Sequence, residues 1–454
     1  MSSLDEHDLM IEADVRASDY LRSVSTRNVY PDQSQIAALS EFDEALPEYP
    51  TDPFDMLRKL DMLGSPATSV STGPNYLGFV IGGLLPAAAA ADRMVSVWDQ
   101  CASSHANSPI AAKLESVAKD WVLDILDLPR GAAIGFGTSA TACGLSCFAA
   151  ARRELLARQN WDLDNDGLVG APEIKVVLPD IAHITIFKAL RILGFGRRHI
   201  RLAKTDKRGR IDSDTLPPLD RNTILCLQAG EVNSGEFDPF IPLIGKAQKA
   251  GAWVHVDGAF GLWARATQTH RHLTEGLEQA DSWTTDGHKW LNTPYDSAMA
   301  IVKDGDAFAR ALNADAVYAT AEPHAQKNLT LEFSRRARGI PIWAVLKTLG
   351  RQGVSDMVER HCRQAKMLAK GIDGKNGIQV INNVVLNQVL CTTNGDETPA
   401  DFTARMNATG KVWFGTSVWR GKPAFRLSVS NWRTTDSDIE RAISILTQKR
   451  FSRL

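Results

Sequence analysis

The sequence predicts an α/β protein: a mainly parallel, seven-stranded sheet covered on both faces by helices, followed by a small C-terminal α+β domain. Three observations predict it. Between residues 133 and 302 short apolar runs alternate with stretches of helical periodicity, as in repeated strand–helix–strand units. Beyond residue 341 the pattern becomes two helical stretches, short strands and a closing helix. The chain has 454 residues, 44% apolar and 23% charged, which is an ordinary globular composition with length for a large core.

Residues 1–75 are polar and carry Pro31, Pro47, Pro50, Pro53, Pro66 and Pro74. Short helices fit 11–21 and 53–63, but the apolar surface is too small for an independent core. This segment is expected to be an arm packed on the rest of the molecule or on a partner subunit. Residues 76–340 form the expected large domain. The Ala-rich run 82–91 reads as a turn and the start of a buried helix. Leu114, Val117, Trp121, Val122, Ile125 and Leu126 recur at helical spacing and predict a helix over 110–128, closed by Pro129. Strands are expected at 133–136, 174–178, 199–202, 223–227, 252–256, 282–285 and 297–302. Helices are expected at 140–156, 185–193 and 241–250. In such a sheet ligands bind at the carboxyl ends of the strands. Residues 341–454 form the expected small domain. Its helical stretches 341–349 and 354–372 flank the break Gly350-Arg351-Gln352-Gly353. Strands at 378–381, 387–392, 412–418 and 424–429 and a helix at 436–448 complete it.

A net charge of −2 gives no general attraction to nucleic acid or to an anionic membrane. No apolar run reaches the ~18 residues of a spanning helix. The start, Met1-Ser2-Ser3-Leu4-Asp5-Glu6, is acidic and lacks a secretory signal. Six scattered cysteines form neither a metal-type pair of pairs nor a disulfide framework. The expectation is a cytoplasmic protein without a metal centre. Residues 162–173 match a calcium-loop template, but Pro172 and a β-rich run stand where its second helix must follow. A surface turn is expected there.

The chemistry-bearing residues fall at the predicted strand ends. Asp257 closes the strand Trp253-Val254-His255-Val256-Asp257, where a carboxylate can hold a pyridine nitrogen protonated; alone, it equally suits a helix cap. Ala259, two residues on, is small enough to lie under a flat ring. Lys289, between His288 and Trp290, offers an amine able to condense with an aldehyde. Those are the two fixed demands of pyridoxal 5'-phosphate (PLP) chemistry. Thr138, Ser139 and Ala140 stand at a glycine-bearing strand–helix junction, where free amides and hydroxyls suit a phosphate. His183 follows the strand at 174–178 and can stack on a cofactor ring or cap its own helix. Asn233 and Ser234 lie in the polar loop after the strand at 223–227 and can contact the cofactor or remain plain loop residues.

In order along the chain, Gly137-Thr138-Ser139-Ala140, Ala182-His183, His255-Val256-Asp257-Gly258-Ala259 and Ala280-Asp281-Ser282 with His288-Lys289-Trp290 resemble the group II PLP-dependent amino-acid decarboxylases. This family includes the aromatic-L-amino-acid, histidine, tyrosine and glutamate decarboxylases. Glu332-Phe333-Ser334-Arg335-Arg336-Ala337-Arg338 and Ser428-Val429-Ser430-Asn431-Trp432 are also similar, and the resemblance covers roughly residues 70–440. It implies PLP fold type I (aspartate-aminotransferase-like), a homodimer with active sites at the subunit interface and an amino-acid substrate. By position it implies that Lys289 holds the cofactor, Asp257 the ring nitrogen and His183 the ring face. Ser139, Ala140 and His288 would take the phosphate. Tyr76 and Phe79 match the substrate pocket; Arg420 and Arg426 match C-terminal contacts.

Two departures stand out. The family places a tyrosine on a loop shortly before the Arg-rich segment, where it protonates the substrate carbon after carbon dioxide leaves. Residues 321–331 contain none; Tyr318 and His324 are the substitutes at hand. Asp286 stands where many relatives have Asn beside the phosphate. The expected reaction is decarboxylation of an L-amino acid to its amine. The alternatives are decarboxylation with oxidation to an aldehyde, another PLP lyase or transaminase reaction, and a non-catalytic homologue.

Overall fold

The computed structural model describes residues 6–313, 322 and 324–448. Its main sheet has the strands β1 (Ala133–Gly137), β2 (Lys175–Pro179), β3 (Ile200–Ala203), β4 (Thr223–Gln228), β5 (Trp253–Asp257), β6 (Ser282–Asp286) and β7 (Ala298–Val302). Their order is β1-β7-β6-β5-β4-β2-β3. The β6-β5-β4-β2-β3 pairs are parallel, and β7 runs antiparallel to both β6 and β1. Five of these strands, β1, β2, β4, β5 and β7, read as near-continuous apolar runs because both faces of the sheet are covered there. Alternation sends Val176 and Leu178 into one core, with Phe148 and Leu190, and Val177 into the other, with Leu243 and Trp283.

A second sheet, antiparallel, comprises β8 (Ile378–Val380), β9 (Gln388–Thr393), β10 (Gly415–Trp419) and β11 (Lys422–Ser428), in the order β10-β11-β9-β8. The helix Gly339–Ile372 joins the two sheets. Its Ile342, Val345 and Leu346 enter the large core, and its Ala365, Leu368 and Ile372 enter the small one. Gly350 interrupts it with φ 61° and ψ −174°, a conformation closed to most residues. The strand expected at 412–418 begins only at Gly415, because Trp413 instead pairs with Tyr76 in an isolated bridge.

In the arm, the helix Glu6–Ser23 buries none of its residues and is tied down by Arg16–Asp61 and Arg93–Asp14 ion pairs. The helix expected to reach residue 63 ends at Lys59 and passes into a wider turn, Leu60–Gly64. Residues 163–166 form one exposed helical turn, capped by Asp162. Among the described residues no helix is long and apolar enough to cross a membrane, and no cluster of acidic, His or Cys side chains could hold a metal.

Candidate active site

The carboxyl ends of β4, β5 and β6 carry Gln228, Asp257 and Asp286. Gln228 and Asp257 are direct partners across the sheet. A cavity of about 210 Å³ opens over these strand ends. Asp257, Asp286, His288 and Lys289 line it from the sheet side. Ser139 and Ala140 line it from the start of the helix Ala140–Ala157, and His183 and Ala259 from the loops. Residues distant in sequence therefore converge because each follows a strand of the same sheet.

Lys289 sits on a turn held from three sides. Its side chain is about a quarter exposed, and its amine lies 3.3 Å from Asp286 Oδ2. Asn292, at φ 56°, accepts the Gly83 N–H (2.5 Å) and the Trp432 N–H (3.0 Å). It donates to the carbonyls of Trp290 (2.8 Å) and Ser430 (3.0 Å). The buried Trp290 indole N–H donates to His361 Nδ1 at 2.8 Å, and His361 Nε2 donates to the Asn431 carbonyl at 2.9 Å. Burial drives His361 down to about 3, so it remains neutral. Gly82 crosses the turn so closely that a Cβ there would lie 1.7 Å from the Lys289 carbonyl oxygen. These contacts fix the lysine backbone between the N-terminal segment and the small sheet.

Asp257 accepts an N–H from Ala259 at 3.2 Å. Burial raises its pKa, opposed by His183 and Lys289. His183 caps the helix Ile184–Ile192, with Nδ1 2.7 Å from Thr185 Oγ1. Burial lowers the pKa of this imidazole, against the attraction of Asp257. A helix cap and a place at the cavity are thus combined in one histidine.

Asp286 is almost fully buried, and its Oδ1 accepts the Ala140 N–H at 2.7 Å. His288 Nε2 lies 3.7 Å from the same oxygen. His288 Nδ1 accepts the Ser297 N–H at 3.3 Å, its ring stacks on Tyr295 at 4.1 Å, and burial keeps its pKa low. Ser139 Oγ caps the helix by accepting the Ala142 N–H.

Other expected residues lie elsewhere. Thr138 is not among the cavity-lining residues. The Asn233 amide is spent on Glu231 (3.2 Å) and Ser417 (2.5 Å). Tyr76 stacks on Trp413 and Phe79 packs tilted against it, at 4.8 and 5.2 Å between ring centres. His324 is exposed and pairs with Asp306 at 2.7 Å. Tyr318 lies outside the described residues. Arg426 donates to the carbonyl of the cavity-lining Val232 at 2.5 Å, whereas Arg420 is held at the surface by Thr205 and Asp206.

Sequence reasoning missed Gln228. The residue lines the cavity, and its Nε2 is buried without a hydrogen-bond partner. A buried donor without an acceptor is costly and marks a place for a ligand atom. The available signal was its position: like Asp257, it is a polar residue ending an apolar strand. These residues fit PLP. Ala140 at the helix start already takes an anion, Asp257 is a buried acid with one N–H, Ala259 leaves a flat space, and Gln228 waits for an acceptor.

The model for the pyridoxal-dependent decarboxylase conserved domain matches residues 40–392. Tryptophan decarboxylase 1 of Oryza sativa subsp. japonica is 26% identical over 455 residues, covering 91% of this chain and 87% of that protein. Phenylacetaldehyde synthase of a Rosa hybrid cultivar is 27% identical over 375 residues, covering 75% and 73%. In fold, the crystal structure of Oryza sativa TDC with PLP and tryptamine is similar with a TM-score of 0.89 at 24% identity, covering 98% of each chain. With the family model spanning most of the sequence and the cavity built as PLP requires, this chain belongs to the pyridoxal-dependent decarboxylase family, as a carboxy-lyase whose cofactor is pyridoxal 5'-phosphate.

Proposed function

We propose that the chain converts an L-amino acid to its amine and carbon dioxide, with Lys289, Asp257 and His183 as the catalytic residues. The observation that carries this reading is their convergence in one cavity of a chain of this family. When bound, PLP supplies a protonated ring that accepts the electron pair left as the α-carboxylate departs.

Asp257 holds the proton on the ring nitrogen. Burial raises its pKa, and a cation beside it favours the ionised form. The Lys289 amine provides the nucleophile, on a backbone that Asn292 and Trp290 keep from shifting. His183, kept neutral by burial, offers a flat face over the ring. Ser139, Ala140 and His288 receive the phosphate, and Gln228 donates to a ligand acceptor. Tyr76 and Phe79 lie outside the cavity, on the segment that leads to Gly82 over the lysine turn, and a place for them at the substrate is a proposal from the resemblance alone.

The relatives named for tryptophan and tyrosine make aromatic amino acids the first substrates to try. A homodimer belongs to this proposal, because the arm exposes Ile11, Val15, Tyr49 and Met62. So does a cytoplasmic setting, which suits cysteines that form no disulfide.

A second reading is favoured by one feature. Residues 321–331 lack tyrosine, and a relative is named an aldehyde synthase. Without an acid at the substrate carbon, molecular oxygen can take the electron pair once carbon dioxide has left, and with one water the products are aldehyde, ammonia and hydrogen peroxide. An amino-acid panel with products resolved by mass spectrometry decides. Amine with carbon dioxide supports the first reading, aldehyde with peroxide the second, and no product from any amino acid overturns both. Lys289→Ala is expected to abolish turnover of whichever substrate is found.

A further inference from the structure

The anion position at the start of the helix Ala140–Ala157 is already filled by a carboxylate of the chain itself. Asp286 Oδ1 accepts the Ala140 N–H at 2.7 Å, and Oδ2 lies 3.3 Å from Lys289 Nζ. On the reading above, the same helix start receives the cofactor phosphate. A phosphate oxyanion and an ionised carboxylate repel at such range, more so out of water.

Asp286 has little freedom to withdraw. It ends β6, opposite Ala298 of β7, and its N–H is bonded to the Ala259 carbonyl at 2.8 Å. Its side chain is 3% exposed. The groups around it do little to offset a second anion. From its own segment come Lys289 and His288, the latter neutral through burial. From β5 comes Asp257, itself an acid. From the helix comes the Cys143 thiol, raised by burial, with Glu332 beyond it. From the loops come His183, lowered by burial, and the Tyr295 phenol, pushed up to about 12. Arg426, from β11, is committed to the Val232 carbonyl and faces Glu231. Lys289 leaves its pair with Asp286 when it condenses with the aldehyde.

We propose that Asp286 takes up a proton when the cofactor phosphate binds and then donates a hydrogen bond to a phosphate oxygen. The same carboxylate ties the helix start to the Lys289 amine. The proton comes from solvent and returns to it when the cofactor leaves. Asparagine, which donates without titrating, makes the same contact at no protonation cost.

This inference rests on reading the cavity as the PLP site, and the experiment separates the two. Cofactor-free wild-type and Asp286→Asn proteins are titrated with PLP and with pyridoxal, which lacks the phosphate, across mildly acidic to mildly basic pH. One proton taken up makes PLP affinity fall by up to about tenfold per pH unit relative to the variant. Asp286→Asn is expected to bind PLP more tightly and to lose that slope, and the gap in slope between wild type and variant is expected to be larger with PLP than with pyridoxal, which frees Asp286 from Lys289 but brings no phosphate. In parallel, calorimetry of the wild type in buffers of different ionisation heat is expected to show about one more proton taken up with PLP than with pyridoxal, beyond what the phosphate itself contributes. Equal PLP slopes in the two proteins, or no excess proton uptake, overturns the proposal while leaving the cavity assignment intact. Failure of either ligand to form a reducible bond at Lys289 overturns both.

Discussion

Asp238 and Asp257 are two acids drawn out of water near the ends of neighbouring strands, and they are held in opposite ways. Asp238 is sealed. It accepts the N–H of Ile211 and of Gln228, both at 2.7 Å, and clamps the 204–212 turn to the end of β4. Asp257 accepts the Ala259 N–H at 3.2 Å and otherwise faces the cavity. Burial pushes Asp238 up to about 7 and also raises Asp257, where His183 and Lys289 oppose it. Burial alone therefore does not mark a reacting group. The distinction lies in whether backbone amides already use the carboxylate or leave it for a partner from outside.

Substitutions sharpen that contrast, beginning with the largest effect. Asp257→Ala is expected to lower kcat/KM by about 10²–10³-fold, the scale for losing one placed electrostatic group. Its unfolding free energy should move by less than about 1 kcal/mol. Asp238→Ala should do the reverse. It strands two buried N–H groups, each costing about 1–3 kcal/mol, so chemical denaturation should show a loss of roughly 3 kcal/mol with cofactor affinity little changed. If Asp238→Ala proves silent in stability, or Asp257→Ala proves mainly destabilising, the two acids have been assigned the wrong way round.

A smaller effect concerns the histidines. His361 and His255 are both buried and driven from 6.5 down to about 3. Between those values the unfolded chain binds protons that the native chain refuses. Their contribution is full above pH 6.5 and is lost as pH falls toward 3, at about 1.4 kcal/mol per unit for each ring once pH is well below 6.5. Tm should therefore drop on acidification. His361→Gln should flatten part of that drop, at the cost of loosening Trp290 beside the lysine. An unaltered acid profile in this variant would remove His361 from the account.

The sequence made much of this legible because of where burial falls. Five of the seven strands could be read because their faces are covered and their side chains are apolar in runs. The reversal of β7 could not, since a local pattern of apolar residues carries no direction. The helix Pro399–Asn407 was signalled by Thr398 as cap and Pro399 at its first turn, a signal that went unread. In the site, Lys289, Asp257 and His183 were visible through motif order. Asn233 resembled a ligand-binding loop residue, yet its bonds run to Glu231 and to Ser417, 184 positions away. The supports of the lysine turn were equally invisible, because Trp290 and His361 are separated by 71 positions. Spacing along the chain reveals which residues share a strand end; it does not reveal which distant side chains hold them there.

The covalent role of Lys289 is open to one direct measurement. Protein loaded with PLP is reduced with borohydride, digested and mapped by mass spectrometry. The account predicts a pyridoxyl group on the peptide that contains His288-Lys289-Trp290, attached to the lysine side chain. A modification confined to other lysines, or none at all, contradicts it.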